Sequence, residues 1–286
     1  MKIWKSNSLT DAQKRQIQAL QAQVNAYDKL QNEAFLSNEI NFDCTAPCFY
    51  LALEGEDVVA FLTTFMPVNT ETEITAFTHP QHRRKGCFST LLAAALADAA
   101  ALHIPTALFV VESSSKSGMA ALQHCTPYTY ARSEYRFACT RYAAAWQNSL
   151  AWQTVTAENV QDYKRVMVSC FPDLVHDVQF TQSLITEPAR SGYIGYNGAL
   201  PVAAYALHNE GKHCFLYGVA VEATQHNKGY GKQLLSVAVP KALAQHCKVV
   251  LDVDSSDPAA LHLYRTAGFE NIFQADYYSY AISNKA

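Results

Sequence analysis

The sequence predicts an α+β fold made of two copies of one domain joined head to tail. The chain has 286 residues, enough for about two domains that each bury a core of their own. Residues 73–96 align without a gap with residues 216–239, at an offset of 143, which is half the chain length. In each half, hairpin-linked strands come first and a strand–loop–helix segment follows. A constant offset over some 60 residues predicts an internal duplication.

The first copy is predicted to begin with a helix over residues 8–30, where a Ser/Thr/Asp start precedes apolar residues at helical spacing. Strands are predicted at 48–53, 58–66 and 72–78, separated by turn residues. Gly86 opens a helix that runs to about residue 103, and a short apolar strand follows at 107–111. Residues 113–118, SSSKSG, are predicted to form a loop that faces a ligand.

The second copy repeats this order. A helix is predicted near 157–170, strands near 193–196, 202–209 and 214–221, a helix over 229–246 and a strand at 249–253. A short helix at 259–267 and a strand at 277–282 complete the copy. The linker is predicted near residues 142–152, so we assign residues 1–145 to an N-terminal domain and 150–286 to a C-terminal domain.

Composition excludes several classes of protein. Hydrophobic residues make up 49% and charged residues 16%, which excludes intrinsic disorder. The net charge of −3 argues against a nucleic-acid partner, and no apolar stretch is long enough to predict a membrane span. The eight cysteines form no CxxC pair, so we expect no metal site. Without an apolar leader segment, we expect a reduced, cytoplasmic protein.

The loop TQHNKGYGK before the second-copy helix predicts an anion site. Gly229 and Gly231 flank the expected helix start, where glycine allows positive φ and close approach of a ligand. First-turn amides lack intrahelical partners and the helix dipole adds positive potential, so phosphate binds well there, aided by Lys228 and Lys232. A simple tight turn is the alternative. The spacing excludes a P-loop and a dinucleotide fingerprint.

A second motif follows about 35 residues downstream. Residues 257–269, DPAALHLYRTAGF, predict a short helix that ends at Gly268. The combination of strand, GxG loop, helix, strand and LYxxxGF resembles the GNAT superfamily of acetyl-CoA-dependent N-acetyltransferases, in its tandem two-domain form. The resemblance covers most of residues 151–286 and, more weakly, about 30–145. It implies that each copy is a mixed, mostly antiparallel sheet flanked by helices.

The resemblance also implies acetyl-CoA as co-substrate and a set of contacts to it in the C-terminal copy. His226 stands at the first position of the family's R/Q-x-x-G-x-G/A motif, where Arg or Gln is usual, and Asp257 stands where the family often has Asn. The implied contact residues are Val219, Ala220, Val221, His226, Asn227, Lys228, Gly229, Tyr230, Gly231, Lys232 and Asp257.

The implied reaction is acetyl transfer to an amine by direct attack, with a backbone N–H on the developing oxyanion and a tyrosine that protonates the leaving thiolate. In this chain that tyrosine is Tyr264. Packing of Tyr264 in the core is the alternative. The general base is left open among Glu222, Asp252, Asp254, His213 and a water chain.

The N-terminal copy is a second candidate coenzyme site with a degenerate motif. It keeps Arg83 and Gly86, but Phe88, Ala121 and Cys125 stand where the other copy has Gly231, Tyr264 and Gly268. The corresponding residues are Ala76, Phe77, Thr78, Arg83, Arg84, Lys85, Gly86, Cys87 and Phe88. We therefore expect catalysis in the C-terminal copy.

Two functions remain after this comparison. The chain is either an acetyltransferase that acts on a small-molecule or peptide amine, or a catalytically inactive tandem domain that binds acyl-CoA. The acceptor and the acyl chain length are not readable from the sequence. The N-terminal helical region and residues 172–191 are the expected acceptor walls, and the protein is expected to be a monomer or homodimer.

Overall fold

A computed structural model describes residues 2–125, 127–172 and 178–282, with the backbone alone for 178–180. The chain forms two compact units, Met1–Glu134 with Phe273–Ala286, and Tyr135–Ile272. The end of the chain therefore belongs to the first unit. The ranges 1–145 and 150–286 stay a prediction of where the two repeat copies lie in the sequence.

The first unit is a mixed sheet with helices packed on it. Its strands are ordered β1-β2-β3-β4-β5-β12, and each described pairing is antiparallel except that of β4 with β5. Its elements are β1 (Lys2–Ser6), α1 (Asp11–Asp28), β2 (Phe49–Glu54), β3 (Asp57–Phe65), β4 (Glu71–Thr78), α2 (Cys87–Ala101), β5 (Thr106–Glu112), α3 (Lys116–Leu122) and the first half of β6 (Thr129–Cys139). The second half of β12 (Glu270–Ala281) completes the sheet.

The second unit repeats the same plan. Its strands are ordered β6-β11-β10-β9-β8-β7, with β10 parallel to β11 and antiparallel to β9. Its elements are β7 (Ala151–Thr154), α4 (Val160–Cys170), α5 (Val178–Thr186), β8 (Arg190–Asn197), β9 (Leu200–Glu210), β10 (His213–Val221), α6 (Tyr230–Leu243), β11 (Lys248–Asp254) and α7 (Pro258–Ala267).

Local sequence explains the helix positions. Thr10 caps α1 through a capping box with Gln13, and α1 buries Ile17, Leu20 and Val24 against the sheet. In the second unit, α6 buries Leu234, Leu235 and Val239 in a core that β9, β10 and β11 share. Burial of these apolar faces stabilises the helices far more than intrinsic propensity does.

The structure confirms the predicted α+β class and the repeated order of elements, and it adds elements that the sequence analysis missed. The predicted loop 113–118 contains the start of α3, because the Ser115 side chain accepts a hydrogen bond from Gly118 N. The predicted linker overlaps β7, and β1 and β6 were not predicted.

A polar cluster fixes the end of the chain in the first unit. The Arg132 guanidinium lies 4.2 Å from the centroid of the Tyr277 ring on β12 and donates to Glu73 at 3.2 Å and to Glu134 at 3.4 Å. The Tyr277 hydroxyl donates to Glu134 at 2.8 Å. Burial, followed by the charge of Glu134, raises the pKa of the Glu73 carboxyl to about 7, despite the opposing charge of Arg132.

The raised pKa of Glu73 predicts a pH-dependent stability. Between its ordinary pKa of 4.5 and about 7, the folded state binds more protons than the unfolded state, so the free energy of unfolding falls as pH rises through this window. The Glu73→Gln variant should flatten this fall, measured by urea unfolding at pH 5 and pH 8. The exposed Glu56→Gln is the control. An undiminished fall in Glu73→Gln would contradict this assignment.

Candidate functional site

In the second unit, β10 separates from its parallel neighbour after the first third of its length. The described pairing of β10 with β11 joins His213–Phe215 to Lys248–Val250 and is not continued beyond Phe215. On the other side, the register with β9 shifts between Tyr217 and Ala220, where Gly218 has φ +57°. This bulge inserts one extra residue and turns the following backbone. A gap therefore opens beside the predicted contact residues Val219, Ala220 and Val221.

The loop after β10 leads to a helix start without a side-chain cap. The His226 ring lies 2.7 Å (Nε2 to O) from the Val221 carbonyl, which fixes the loop to the strand end. Asn227 and Gly229 have φ +62° and +81°, and α6 begins at Tyr230. Among the described residues, no side chain caps the first turn of α6. The first-turn amides therefore lack a side-chain acceptor, and an anion site at this helix start stays a prediction.

The other predicted contact residues around this loop differ in their roles. Lys228 donates to Gln225, Lys232 lies 5.9 Å from the Trp146 ring centroid, and the Tyr230 hydroxyl accepts from Asn197. The Asp257 carboxylate accepts from Ala260 N at 2.8 Å and so caps α7. An aspartate at this position is thus explained by helix capping.

Tyr264 lies in α7 and is almost fully buried. Its ring packs edge-on against Phe269 at 5.8 Å between centroids, within the core of the unit. Burial, followed by the charge of Asp257, raises the pKa of the Tyr264 hydroxyl. The hydroxyl therefore stays protonated at neutral pH and is a weaker acid than a free tyrosine. The burial of the ring is what the alternative role, packing in the core, predicts.

The four side chains considered as general bases all contact structural partners. The contacts are Glu222–Thr224, Asp252–Arg136, Asp254–Ser256 and His213–Glu210. The expected acceptor wall 172–191 is predicted from the sequence as a loop, but residues 178–186 form the helix α5. Residues 173–177 lie outside the described residues.

The N-terminal copy repeats the loop backbone although its side chains differ. Arg84 and Gly86 have φ +61° and +81°, close to the values at Asn227 and Gly229. Arg83 Nε donates to the Thr78 carbonyl at 3.2 Å, as His226 contacts Val221. No side chain in the described part of the chain caps α2. The register of β4 with β3 is continuous, so this copy lacks the bulge.

A cavity of about 600 Å³ lies in the first unit, within the usual range for small-ligand sites. The parallel pairing of β4 with β5 runs only to Ile74 and Phe109, and both residues line the cavity. The cavity is lined by eight of the nine predicted second-site residues: Ala76, Phe77, Thr78, Arg83, Arg84, Gly86, Cys87 and Phe88. The ninth, Lys85, is exposed to solvent. Ser115, Ser117 and Gly118 also line it.

Buried Glu112 closes part of this cavity. Its carboxylate accepts from the backbone amides of Gln31 and Asn32 at 2.7 and 2.9 Å and from the Ser114 hydroxyl. The carboxylate thereby fixes the segment that follows α1 over the end of β5. Sequence analysis missed Glu112 and Gly218. The only signals were a carboxyl group directly after an apolar strand and a glycine inside one.

No helix in the described residues is long and apolar enough to span a membrane. Nor does any group of three or more His, Cys, Asp or Glu side chains in those residues have the proximity to hold a metal ion.

A family model decides the relationship that the geometry suggests. The model of the acetyltransferase (GNAT) family matches residues 15–125 and again residues 152–269. The chain belongs to the GNAT acetyltransferase family. The two matches and the paired units confirm the tandem GNAT architecture predicted from sequence, with a mixed sheet and flanking helices in each domain. No curated protein matches the sequence.

Solved structures of GNAT proteins share the fold. A GCN5-related N-acetyltransferase from Sphaerobacter thermophilus is similar, with a TM-score of 0.76, 17% identity, and coverage of 98% of this chain and 96% of that one. A tandem GNAT protein from the clavulanic acid biosynthesis pathway gives a TM-score of 0.71 at 14% identity, covering 99% and 98%. A GNAT acetyltransferase from Colwellia psychrerythraea gives 0.67 at 13% identity, covering 98% and 100%.

The bulge in β10 predicts a specific cost at Gly218. A residue with a Cβ is strained at the positive φ of Gly218, and the added Cβ would lie 2.8 Å from Met167 Cε. Gly218→Ala should therefore lower the free energy of unfolding by about 1–3 kcal/mol. Gly211→Ala is the matched control, because Gly211 also has positive φ but has open space around it. Chemical denaturation measures both. Equal losses would show that crowding against Met167 contributes nothing.

Proposed function

We propose that this GNAT protein is an acetyltransferase that moves the acetyl group of acetyl-CoA to the amine of a small-molecule or peptide acceptor, in its C-terminal copy. One observation carries the proposal. The uncapped first turn of α6 begins beside the gap where β10 leaves β11. A phosphate-binding helix start and a strand with free backbone groups therefore lie within one continuous segment, residues 213–243.

The residues of this segment fit the coenzyme. The amides of Tyr230, Gly231 and Lys232 would hold the diphosphate, and Gly229 allows close approach because it has no side chain. Beyond the bulge, the backbone of Val219 and Ala220 and the N–H of Val221 would bind the pantetheine arm by strand-like hydrogen bonds, while the Val221 carbonyl contacts His226. Bound acetyl-CoA supplies an activated thioester carbonyl.

Transfer requires two proton movements. The neutral amine attacks the carbonyl carbon, the C–N bond forms and the C–S bond breaks, the amine loses one proton and the sulfur gains one. A backbone N–H of β10 would stabilise the carbonyl oxygen as it gains negative charge. We assign the proton on the sulfur to Tyr264, the tyrosine that the LYxxxGF resemblance implies as proton donor.

In the N-terminal copy we propose that coenzyme A binds without acetyl transfer. Its cavity has Ala121, a residue without a proton to donate, at the repeat position of Tyr264. This favours binding without transfer in that copy. All eight cysteines are free thiols, which supports our assignment of the protein to the reducing cytoplasm. We also propose that it is a monomer or homodimer.

Removal of the Tyr264 hydroxyl tests the acid role. Tyr264→Phe should lower the turnover number about 100-fold at neutral pH, with little change in thermal stability. Tyr205→Phe is the matched control, because Tyr205 is equally buried in the same core and no hydrogen-bond partner of its hydroxyl is described. Steady-state kinetics with acetyl-CoA measures both. Unchanged turnover of folded Tyr264→Phe would remove the acid assignment.

A panel of amines tests the function itself. We expect the full chain to bind coenzyme A in calorimetry and to acetylate at least one amine of the panel, detected by release of free thiol. Binding without transfer to any amine would instead favour the inactive acyl-CoA-binding domain. Absence of coenzyme binding would contradict both functions.

A further inference from the structure

One aspartate connects three segments at the mouth of the N-terminal cavity. Asp28 is the last residue of α1, and its carboxylate pairs with both ends of the Arg83 guanidinium, at 3.0 Å from Nη1 and 2.5 Å from Nη2. The Ser117 hydroxyl, in α3, donates to the same carboxylate at 2.9 Å. The hydrogen bond from Arg83 lowers the pKa of Asp28, so the carboxylate is ionised at neutral pH.

This pairing occupies a group that an anionic ligand would otherwise use. Arg83 and Ser117 line the cavity, and Arg84 and the uncapped start of α2 lie in the same wall. An anion is attracted to this wall by the free amides and by Arg84. A guanidinium held by a carboxylate in a two-pronged pair cannot present the same N–H groups to a phosphate. The Asp28 charge also repels a phosphate placed there.

The C-terminal copy lacks this arrangement. His226 stands at the repeat position of Arg83, and its ring contacts the Val221 backbone carbonyl. No carboxylate in the described part of the chain forms an ion pair with His226. The two copies therefore share the loop backbone but differ in the charge that faces an incoming anion.

We propose that Asp28 sets the ligand specificity of the N-terminal cavity by competing with the diphosphate of coenzyme A for Arg83. The apolar walls at Ile74, Phe109 and Leu122 accept the pantetheine arm of the coenzyme, while Asp28 lowers the affinity for its phosphates. The N-terminal copy consequently binds coenzyme A more weakly than the C-terminal copy does. This inference rests on the proposed function, since it takes coenzyme A as the ligand of the family.

The test uses the full chain and two probes, coenzyme A and pantetheine. Titration monitored by hydrogen–deuterium exchange follows peptides over residues 83–92 and 226–235, which report the two copies separately. In Asp28→Asn, coenzyme A should protect residues 83–92 with about tenfold higher affinity, as expected when a charge-assisted pair is released. Its affinity for residues 226–235 should not change. Pantetheine has no diphosphate, so its affinity for residues 83–92 should be the same in the wild-type protein and in Asp28→Asn.

Three further variants define the mechanism. Ser117→Ala loosens the carboxylate without removing it and should raise the affinity about twofold to threefold. Adding Arg83→Ala to Asp28→Asn should cancel the gain. Asp98→Asn, which removes the carboxylate that pairs with Lys5 at 2.7 Å in the same unit, is the charge-matched control and should leave the affinity unchanged.

The outcomes separate this inference from the proposed function. If coenzyme A still protects residues 226–235 but Asp28→Asn and Ser117→Ala bring no gain at residues 83–92, the inference is wrong. The inference is also wrong if the gain in coenzyme A affinity persists when Arg83→Ala is added to Asp28→Asn, or if Asp98→Asn gives an equal gain. If coenzyme A protects neither segment in any variant, it is the proposed function that fails.

Discussion

The separation of two parallel strands beside an uncapped helix start is the constraint on which each site depends. Parallel strands normally satisfy each other's backbone groups along their whole length. In each unit the described pairing stops partway, at Ile74 with Phe109 and at Phe215 with Val250. The backbone groups beyond that point can bond to a ligand, and the helix that follows directs its free amides to the same region. The binding that we propose thus uses main-chain groups, which tolerate large changes of side chain.

This dependence on main chain explains how the two copies diverged without losing the loop. Arg84 and Asn227 have nearly the same positive φ, as do Gly86 and Gly229. Both loops are fixed by a side chain that contacts the carbonyl at the end of the preceding strand, from Arg83 in one copy and His226 in the other. Either residue type can make that contact, so the loop backbone persists while the local charge changes.

The copies differ in the features that chemistry would require. The C-terminal copy has the β10 bulge and a buried tyrosine in α7, whereas the N-terminal copy has a regular β4 and Ala121. The N-terminal copy instead has a cavity of about 600 Å³ and a paired arginine at its mouth. These contrasts support a division between a copy that catalyses and a copy that binds.

The sequence by itself determined the duplication, the α+β class, most helices and strands, and the GxG loop before α6, because periodicity and glycine positions are local properties. It could not give α3, since a run of serines reads as a loop unless Ser115 is seen to cap a helix. Only the tertiary structure brought Asp28 to Arg83 and Tyr277 to Glu134 and Arg132. These residues lie 55 or more positions apart, and no local pattern encodes which distant side chains meet in a fold.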